Sequence, residues 1–241
     1  MPERVGEGLV LKVVKHGENG AVATLFSKTD GLVKGYCRGA FSKKNAGVVQ
    51  TGNLVFFRHF SRLDEQLGRL TCDLKTPFAA MAMADADALT LLSAVCGLLP
   101  LFPEREMMPD FYETTLAAID VFFDAETRFE TYARWELAFL SELGFGLDLS
   151  SCAVTGGTED LVYVSPKTGR AVSRAAGEAW RDKLLILPPF LKDTGLRAKG
   201  GAEILDSLRL TGFFLEKFAF PHINGIFPVA RSRLIERMTE K

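Results

Sequence analysis

The sequence of 241 residues predicts an α+β protein, with a small N-terminal β-barrel followed by a mainly helical domain. Two observations predict this fold class. Residues 1–78 contain short runs of apolar and aromatic residues that are separated by Gly, Asn and Asp turn signals, as in all-β domains. From residue 79 onwards, apolar residues recur at helical spacing. We therefore predict a barrel over 1–78 and a helical domain over 79–241, into which a β-hairpin is inserted at about 148–176.

Five strands are expected in the barrel. The predicted strands cover residues 9–15, 21–27, 32–37, 54–60 and 69–73. Five short strands suit a closed barrel, because closure removes the exposed edges that invite aggregation. An oligonucleotide-binding (OB) barrel is the commonest five-stranded barrel of this size, and an SH3-like barrel is the main alternative.

Pro77 marks the predicted end of the barrel, since proline cannot donate a hydrogen bond to a strand ladder. The predicted helices are 79–99, 110–123, one from Thr127 to Gly144 or Gly146, 202–218, and a last one that begins at Pro228. Thr127 and Glu130 have the spacing of a capping box. Segments 161–165 and 170–173 flank a Pro-Lys-Thr-Gly turn and predict the hairpin.

One face of the helix that follows Thr127 is aromatic. Its members are Tyr132, Trp135, Phe139 and Leu143, at spacings of three and four residues. We interpret this face as core, with a binding surface as the alternative.

Charge is distributed unevenly along the chain, although the net charge is only −1. Residues 1–80 carry 12 basic and 7 acidic side chains, residues 81–160 carry 3 and 15, and residues 161–241 carry 14 and 8. The two basic ends suit a polyanionic partner. The alternative is that the acidic middle segment neutralises its own neighbours.

Catalytic motifs are missing from the sequence: there is no phosphate-binding glycine loop, no His-Glu-x-x-His and no nucleophile elbow. We interpret His16, His59 and His222 as structural, and the widely spaced Cys37, Cys72, Cys96 and Cys152 as buried thiols. A non-enzymatic cytoplasmic protein is therefore expected, because the N-terminus also lacks the apolar stretch of a signal peptide. A magnesium-dependent nuclease is the weakest alternative.

The strongest candidate site is segment 35–45, which combines glycines, cations and aromatic rings. Cations pair with phosphates and aromatic rings stack on unpaired bases, so this composition suits single-stranded DNA. The alternative is a solvated loop whose rings are anchored in the barrel. With the cations of neighbouring strands, the candidate DNA-binding residues are Lys12, Lys15, Lys34, Tyr36, Arg38, Phe41, Lys43, Lys44, Arg58, Arg62 and Arg69.

A second basic group lies in the last predicted helix. Arg231, Arg233 and Arg237 are candidates for contacts with phosphate or with acidic residues of a partner. The alternative is that they neutralise the protein's own acidic segment.

Several segments, in this order, resemble the RecO family of recombination mediators. Residues 8–12, 16–19, 24–27, Gly31 and 38–40 resemble the family's barrel, and residues 142–149, 152–156 and 163–173 resemble its alphaproteobacterial branch. The resemblance implies an OB barrel followed by a helical domain with an inserted hairpin. It also implies a protein that helps to load recombinase onto single strands coated by single-strand-binding protein, anneals complementary strands, and works with RecR and with the C-terminal tail of single-strand-binding protein.

The resemblance also bears on zinc. Family members that bind zinc carry two Cys-x-x-Cys pairs around the hairpin. Here Cys152 remains, with Thr155 in its partner's place and with Ser173 and Ala176 where the second pair would fall. Zinc needs a nearly complete set of four ligands, so we expect no zinc and no other cofactor.

Overall fold

The computed structural model describes residues 3–43, 45–62, 67–219 and 228–239, so Lys44 and His222 lie outside the described residues. The chain forms two compact units, Met1–Phe123 and Asp124–Lys241, here called the first and the second unit. The first unit holds the barrel and three helices, and the second holds the other helices and a small sheet. The domain boundary predicted after residue 78 stays a prediction.

The first unit is built on a closed five-stranded barrel, with strand order β1-β2-β3-β5-β4. The strands are β1 (Glu3–His16), β2 (Gly20–Ser27), β3 (Gly31–Cys37), β4 (Leu54–Phe60) and β5 (Gly68–Thr76). The five predicted strands are confirmed. Only β1 differs markedly from its prediction, since it begins six residues before the predicted start at residue 9. The first part of β1 pairs with β4, and the second part pairs with β2.

Alternating side chains fill the barrel. The buried core includes Val10, Ala21, Ala23, Leu25, Val33, Val55, Phe57 and Leu70. The barrel closes where β3 and β5 pair in parallel, at Gly35 opposite Gly68 and Tyr36 opposite Arg69. Both glycines are required there, because an added Cβ would lie 2.6 Å from the Leu70 Cβ at Gly35 and 2.5 Å from the His59 Nε2 at Gly68.

Three helices pack with the barrel in the first unit: α1 (Phe78–Ala82), α2 (Ala86–Leu98) and α3 (Pro109–Val121). The prediction of a single helix over 79–99 is wrong. Asp85 ends the first segment and caps the second, because its carboxylate accepts hydrogen bonds from the backbone N–H groups of Asp87 at 2.9 Å and Ala88 at 3.2 Å.

In the described part of the second unit, five α-helices combine with a three-stranded sheet of order β7-β6-β8. Its elements are α4 (Arg128–Leu140), β6 (Leu161–Val164), β7 (Ala171–Ser173), α5 (Arg174–Gly177), β8 (Leu185–Ile186), α6 (Pro189–Lys192), α7 (Gly201–Phe214) and α8 (Val229–Thr239). The predicted hairpin is confirmed as β6 and β7. The third strand, β8, is only two residues long and carries too short a pattern to be predicted.

Helix α4 begins without the predicted capping box. The Thr127 hydroxyl donates to the carboxylate of Asp124 and caps nothing, while Glu130 accepts hydrogen bonds from Arg134 and Arg197. The capping-box prediction is therefore wrong, because both side chains have other partners.

The aromatic face of α4 is core, as predicted. Tyr132, Trp135 and Phe139 are buried, and the last two rings stack with their centroids 5.3 Å apart. Leu143 is only half-buried, since it lies in a wider helical turn, Ser141–Phe145, that ends as Gly144 adopts a φ of +83°.

Candidate nucleic-acid interface

Seven of the predicted DNA-binding cations are exposed and free of ion pairs within the part of the chain that the structure describes. They are Lys12, Lys15, Arg38, Lys43, Arg58, Arg62 and Arg69. Lys34 differs, because its Nζ is engaged by the carboxylate of Glu104. A free exposed cation can exchange its water and counterions for a phosphate without first losing an internal partner.

The strand register brings three of the candidate residues together with Phe60 on the outside of the barrel. Tyr36 is the neighbour of Arg69, and Arg69 lies directly opposite Phe60. Directly paired residues have Cβ atoms about 5 Å apart. Arg58 lies two residues before Phe60 on the same strand and face. We call Tyr36, Arg58, Phe60 and Arg69 the outer-wall patch.

Phe60 belongs to this patch although it is not among the residues predicted from the sequence. Phe56 and Phe60 are 48% and 40% exposed, whereas Val55 and Phe57 are buried. The signal was present in the sequence: the strand alternation that places Arg58 outside also places Phe56 and Phe60 outside.

The ring of Tyr36 is held in a defined place. It is half-buried and lies over Gly20, where an added Cβ would be 2.1 Å from the tyrosine Oη. His16 packs edge-on against it, with ring centroids 5.9 Å apart. Only glycine at position 20 leaves room for this ring on the outer wall.

The wall between β1 and β3 is less basic than the sequence suggests. Thr24 on β2 pairs with Lys12 on β1 at one side and with Lys34 on β3 at the other, so the three residues form one row across the strands. Because Glu104 engages Lys34, only Lys12 contributes a free cation to this row of the described residues. Lys34 is thus a weaker candidate for phosphate contact than its neighbours.

The segment after β3 is anchored by small apolar residues. Ala40 and Val49 are buried in the barrel core, and the Asn45 side-chain amide donates to the Gly39 carbonyl at 3.1 Å. Phe41 is 47% exposed, so about half of its surface is open to solvent, and the choice between a DNA-binding loop and a solvated loop stays a prediction. The segment carries this partly exposed ring together with two exposed cations, Arg38 and Lys43.

Two of the predicted cations lie off the outer wall. Lys15 lies near the end of β1 and pairs with Ala21, which in turn pairs with Cys37. Ala21 and Cys37 face the barrel core, so Lys15 is in line with inward-facing residues and not with those of the outer wall. Arg62 lies two residues beyond the end of β4. The basic residues are thus distributed over the outer wall and the barrel's end rather than along a single strand.

His59 lies on the inner side of β4, between the outward-facing Arg58 and Phe60. It is buried, and its Nε2 has no hydrogen-bond partner among the described residues. Burial first, and then the positive charge of Arg4, lower the pKa of this imidazole below its ordinary value. The histidine therefore acts as a neutral packing group against the closing glycines.

Arg231 is not available to a partner, so this part of the prediction is wrong. It is 1% exposed, and its guanidinium contacts the buried carboxylate of Glu136, with an Nη2–Oε2 distance of 3.0 Å. It also donates to the Leu208 carbonyl at 2.6 Å. The sequence held one hint, because Arg231 lies three residues before the buried Leu234 and shares its helix face.

The other two arginines of α8 differ in their exposure. Arg233 is exposed and Arg237 is half-buried. They lie four residues apart, on one face of the helix that does not include Arg231. Contacts of Arg233 and Arg237 with phosphate or a partner stay a prediction.

Cys152, the remaining cysteine of the zinc pattern, is buried and hydrogen-bonded to Ser173. Its Sγ donates to the Ser173 Oγ at 3.5 Å and accepts from the Ser173 N–H at 3.3 Å. Burial alone raises the pKa of a thiol, but hydrogen bonds with Ser173 and Thr155 outweigh it and lower the pKa of Cys152 to about 6. Among the described residues, no group of three or more His, Cys, Asp or Glu side chains is arranged to hold a metal ion.

None of the helices within the described ranges has the length and apolar character that a bilayer crossing requires.

Comparison with known proteins identifies the family. The model for "Recombination protein O N terminal" matches residues 1–78, and that for "Recombination protein O C terminal" matches residues 83–218. Similar proteins include the DNA repair protein RecO of Rhodospirillum centenum, 42% identical over 238 residues, which are 98% of this chain and 94% of the relative. Another similar protein is the DNA repair protein RecO of Ruegeria sp., which is 41% identical over 237 residues, or 98% of each of the two chains. The chain therefore belongs to the RecO family.

Proposed function

We propose that this chain acts in DNA repair and recombination as a mediator that binds single-stranded DNA on its barrel. In this role it assists recombinase loading on strands coated by single-strand-binding protein, and it anneals complementary strands. One observation carries the proposal: exposed cations that have no acidic partner among the described residues lie beside an exposed aromatic ring on the barrel, as Arg58 and Arg69 lie beside Phe60. The membership of the RecO family, and the relatives named DNA repair proteins, support the DNA-repair role.

The two kinds of side chain have different tasks in this proposal. Arg58, Arg69 and the cations of the 38–43 segment bind phosphates, which supply most of the affinity for any sequence. Aromatic rings stack on bases, which also tolerates any sequence because every base has a π face. A mediator that acts wherever DNA is damaged requires this lack of sequence preference.

Charge reversal tests the proposal. We expect a wall variant, Arg58→Glu with Arg69→Glu, and a loop variant, Arg38→Glu with Lys43→Glu, each to weaken binding of a single-stranded oligonucleotide about tenfold or more at moderate salt. Fluorescence anisotropy measures the affinity. The reversal of two exposed arginines of the second unit, Arg174→Glu with Arg209→Glu, changes the net charge equally and is the matched control.

Two outcomes would contradict this assignment. If both barrel variants bind as tightly as the wild type, the barrel is not the DNA site. If the control weakens binding as much as they do, net charge rather than the barrel surface determines affinity.

The partners belong to the same proposal. We propose that RecR and the acidic tail of single-strand-binding protein contact this chain, that the recombinase is engaged indirectly, and that double-stranded DNA binds through its phosphates. We further propose that it works in the cytoplasm beside the nucleoid, without catalytic activity or a cofactor. An annealing assay on strands coated by single-strand-binding protein, with and without RecR, tests the mediator role. Annealing no faster than without the protein would contradict it.

A second candidate function, that of an adaptor with incidental DNA contact, is favoured by a cavity in the second unit. This cavity of about 180 Å³ is lined by Phe145, Phe214, Phe218 and Lys167, among others. The Lys217 Nζ lies 4.9 Å from the ring centroid of Phe218. Apolar rings beside lysines suit an acidic peptide with a hydrophobic tip, such as the tail of single-strand-binding protein. Tail-peptide binding that persists while DNA affinity is negligible would establish the adaptor function.

A further inference from the structure

We propose that Phe60 is a base-stacking residue, so that the outer-wall patch binds unpaired bases as well as phosphates. The inference rests on the proposed DNA binding and names the form of DNA that the barrel prefers. It goes beyond the loop residues that the sequence selected, because Phe60 lies on β4 and the loop follows β3.

The first argument is the position of the Phe60 ring among charges. It is 40% exposed and has two exposed arginines as neighbours, Arg69 directly opposite and Arg58 two residues before, neither of which is ion-paired within the described residues. One acidic residue, Glu3, is its direct neighbour on β1. A strand whose phosphates pair with these arginines would carry its bases across the ring.

The second argument comes from Phe56, which shares the strand, the face and the exposure of Phe60 but not its charges. Its direct neighbours across the sheet are Glu7 and Asp73. The Lys75 Nζ lies 5.3 Å from the centroid of its ring, and the same lysine pairs with Glu7. The acidic neighbours repel phosphate, and the lysine already occupies one face of this ring. We therefore assign stacking to Phe60 and not to Phe56.

Stacking on Phe60 has a consequence for strand preference. In a duplex the bases are stacked on one another and paired, so a protein ring cannot stack on them without disrupting the helix. In a single strand the bases are available, and stacking on a protein ring strengthens binding by about tenfold per base. The patch thus favours single strands although its arginines pair with the phosphates of either form.

An oligonucleotide without bases separates the two contributions. We would measure the affinity of the full-length protein for a labelled oligo(dT), and for an abasic sugar-phosphate chain of equal length, by anisotropy. The wild type is expected to bind oligo(dT) about tenfold more tightly than the abasic chain. Phe60→Ala is expected to remove most of this difference while its affinity for the abasic chain is retained. Phe56→Ala is the matched control and is expected to keep the difference.

The outcomes distinguish this inference from the proposed function. Equal binding of both probes by the wild type, or equal losses in the Phe56→Ala and Phe60→Ala variants, would overturn the stacking assignment while DNA binding stands. Failure to bind either probe would instead refute the proposed function. Phe60→Leu is a second test, which retains an apolar side chain of similar size but has no ring. It is expected to lose the difference between the two probes as Phe60→Ala does, so the test does not depend on whether Phe60→Ala folds well. If Phe60→Leu keeps the full difference, the aromatic ring is not what the bases contact.

Discussion

Replacement of Arg231 by Met is expected to destabilise the second unit by about 3–5 kcal/mol, which is the usual cost of removing one partner of a buried ion pair. Arg231 and Glu136 are both buried, and the guanidinium also donates to the Leu208 carbonyl. Methionine fills much of the same volume, so the loss comes mainly from leaving the Glu136 carboxylate buried without its counter-charge. The ion pair links α8 to α4, and the hydrogen bond to Leu208 links α8 to α7.

Tryptophan fluorescence during urea unfolding measures this effect. Both tryptophans, Trp135 and Trp180, belong to the second unit, so the signal reports the unfolding of that unit alone. Arg233→Met is the matched control: Arg233 is exposed on the same helix, and surface changes of this kind usually stay within about 0.5 kcal/mol.

The double variant Arg231→Met with Glu136→Leu isolates the cause. Removal of both charges leaves no unpaired ion, so we expect it to be markedly more stable than Arg231→Met alone. A loss below about 1 kcal/mol for Arg231→Met, or a double variant that is less stable than the single one, would refute the reasoning.

Three further predictions concern the metal, pH and the closure of the barrel. Elemental analysis of purified protein is expected to find no stoichiometric zinc, because Ser173 takes the hydrogen bonds of Cys152; a full equivalent would contradict this. The free energy of unfolding is expected to decrease as pH falls below about 6.5, since the unfolded state binds a proton on His59 that the folded state disfavours. His59→Gln is expected to flatten this dependence in a titration of stability between about pH 7 and 5, and an unchanged profile would count against the role of His59. Gly68→Ala is expected to cost about 1–3 kcal/mol by circular dichroism, because the new Cβ would lie 2.5 Å from both the His59 Nε2 and the Phe60 carbonyl oxygen. Gly47→Ala, which meets no atom within 4 Å, is the control, and equal stability of the two variants would contradict the packing argument.

The features that the sequence predicts correctly depend on local patterns. Strand alternation and turn residues locate β2 to β5 within one or two residues at most ends. The early start of β1 was not predictable in this way, because that half of the strand is fixed by pairing with β4, about fifty residues away. The break between α1 and α2 was missed because the cap of Asp85 interrupts a segment that is otherwise apolar throughout.

The candidate site shows the same limit. Exposure of Phe60 follows from the alternation of β4, so it was within reach of sequence analysis. The partners of Lys34 and Arg231 were not, since Glu104 lies 70 residues and Glu136 lies 95 residues away along the chain. A sequence counts the charges, but it does not show which of them are neutralised by distant residues.

The central claim is that free cations on the barrel pair with the phosphates of a single strand, and the salt dependence of binding tests it most directly. Each phosphate contact contributes a slope of about −0.7 to the logarithm of the binding constant plotted against the logarithm of salt concentration. The seven free cations set a limit of about −5, and we expect a wild-type slope between about −2 and −5 for oligo(dT). The variant Arg58→Gln with Arg69→Gln is expected to be shallower by about 1.4. A wild-type slope near zero, or an unchanged slope in this variant, would contradict the claim.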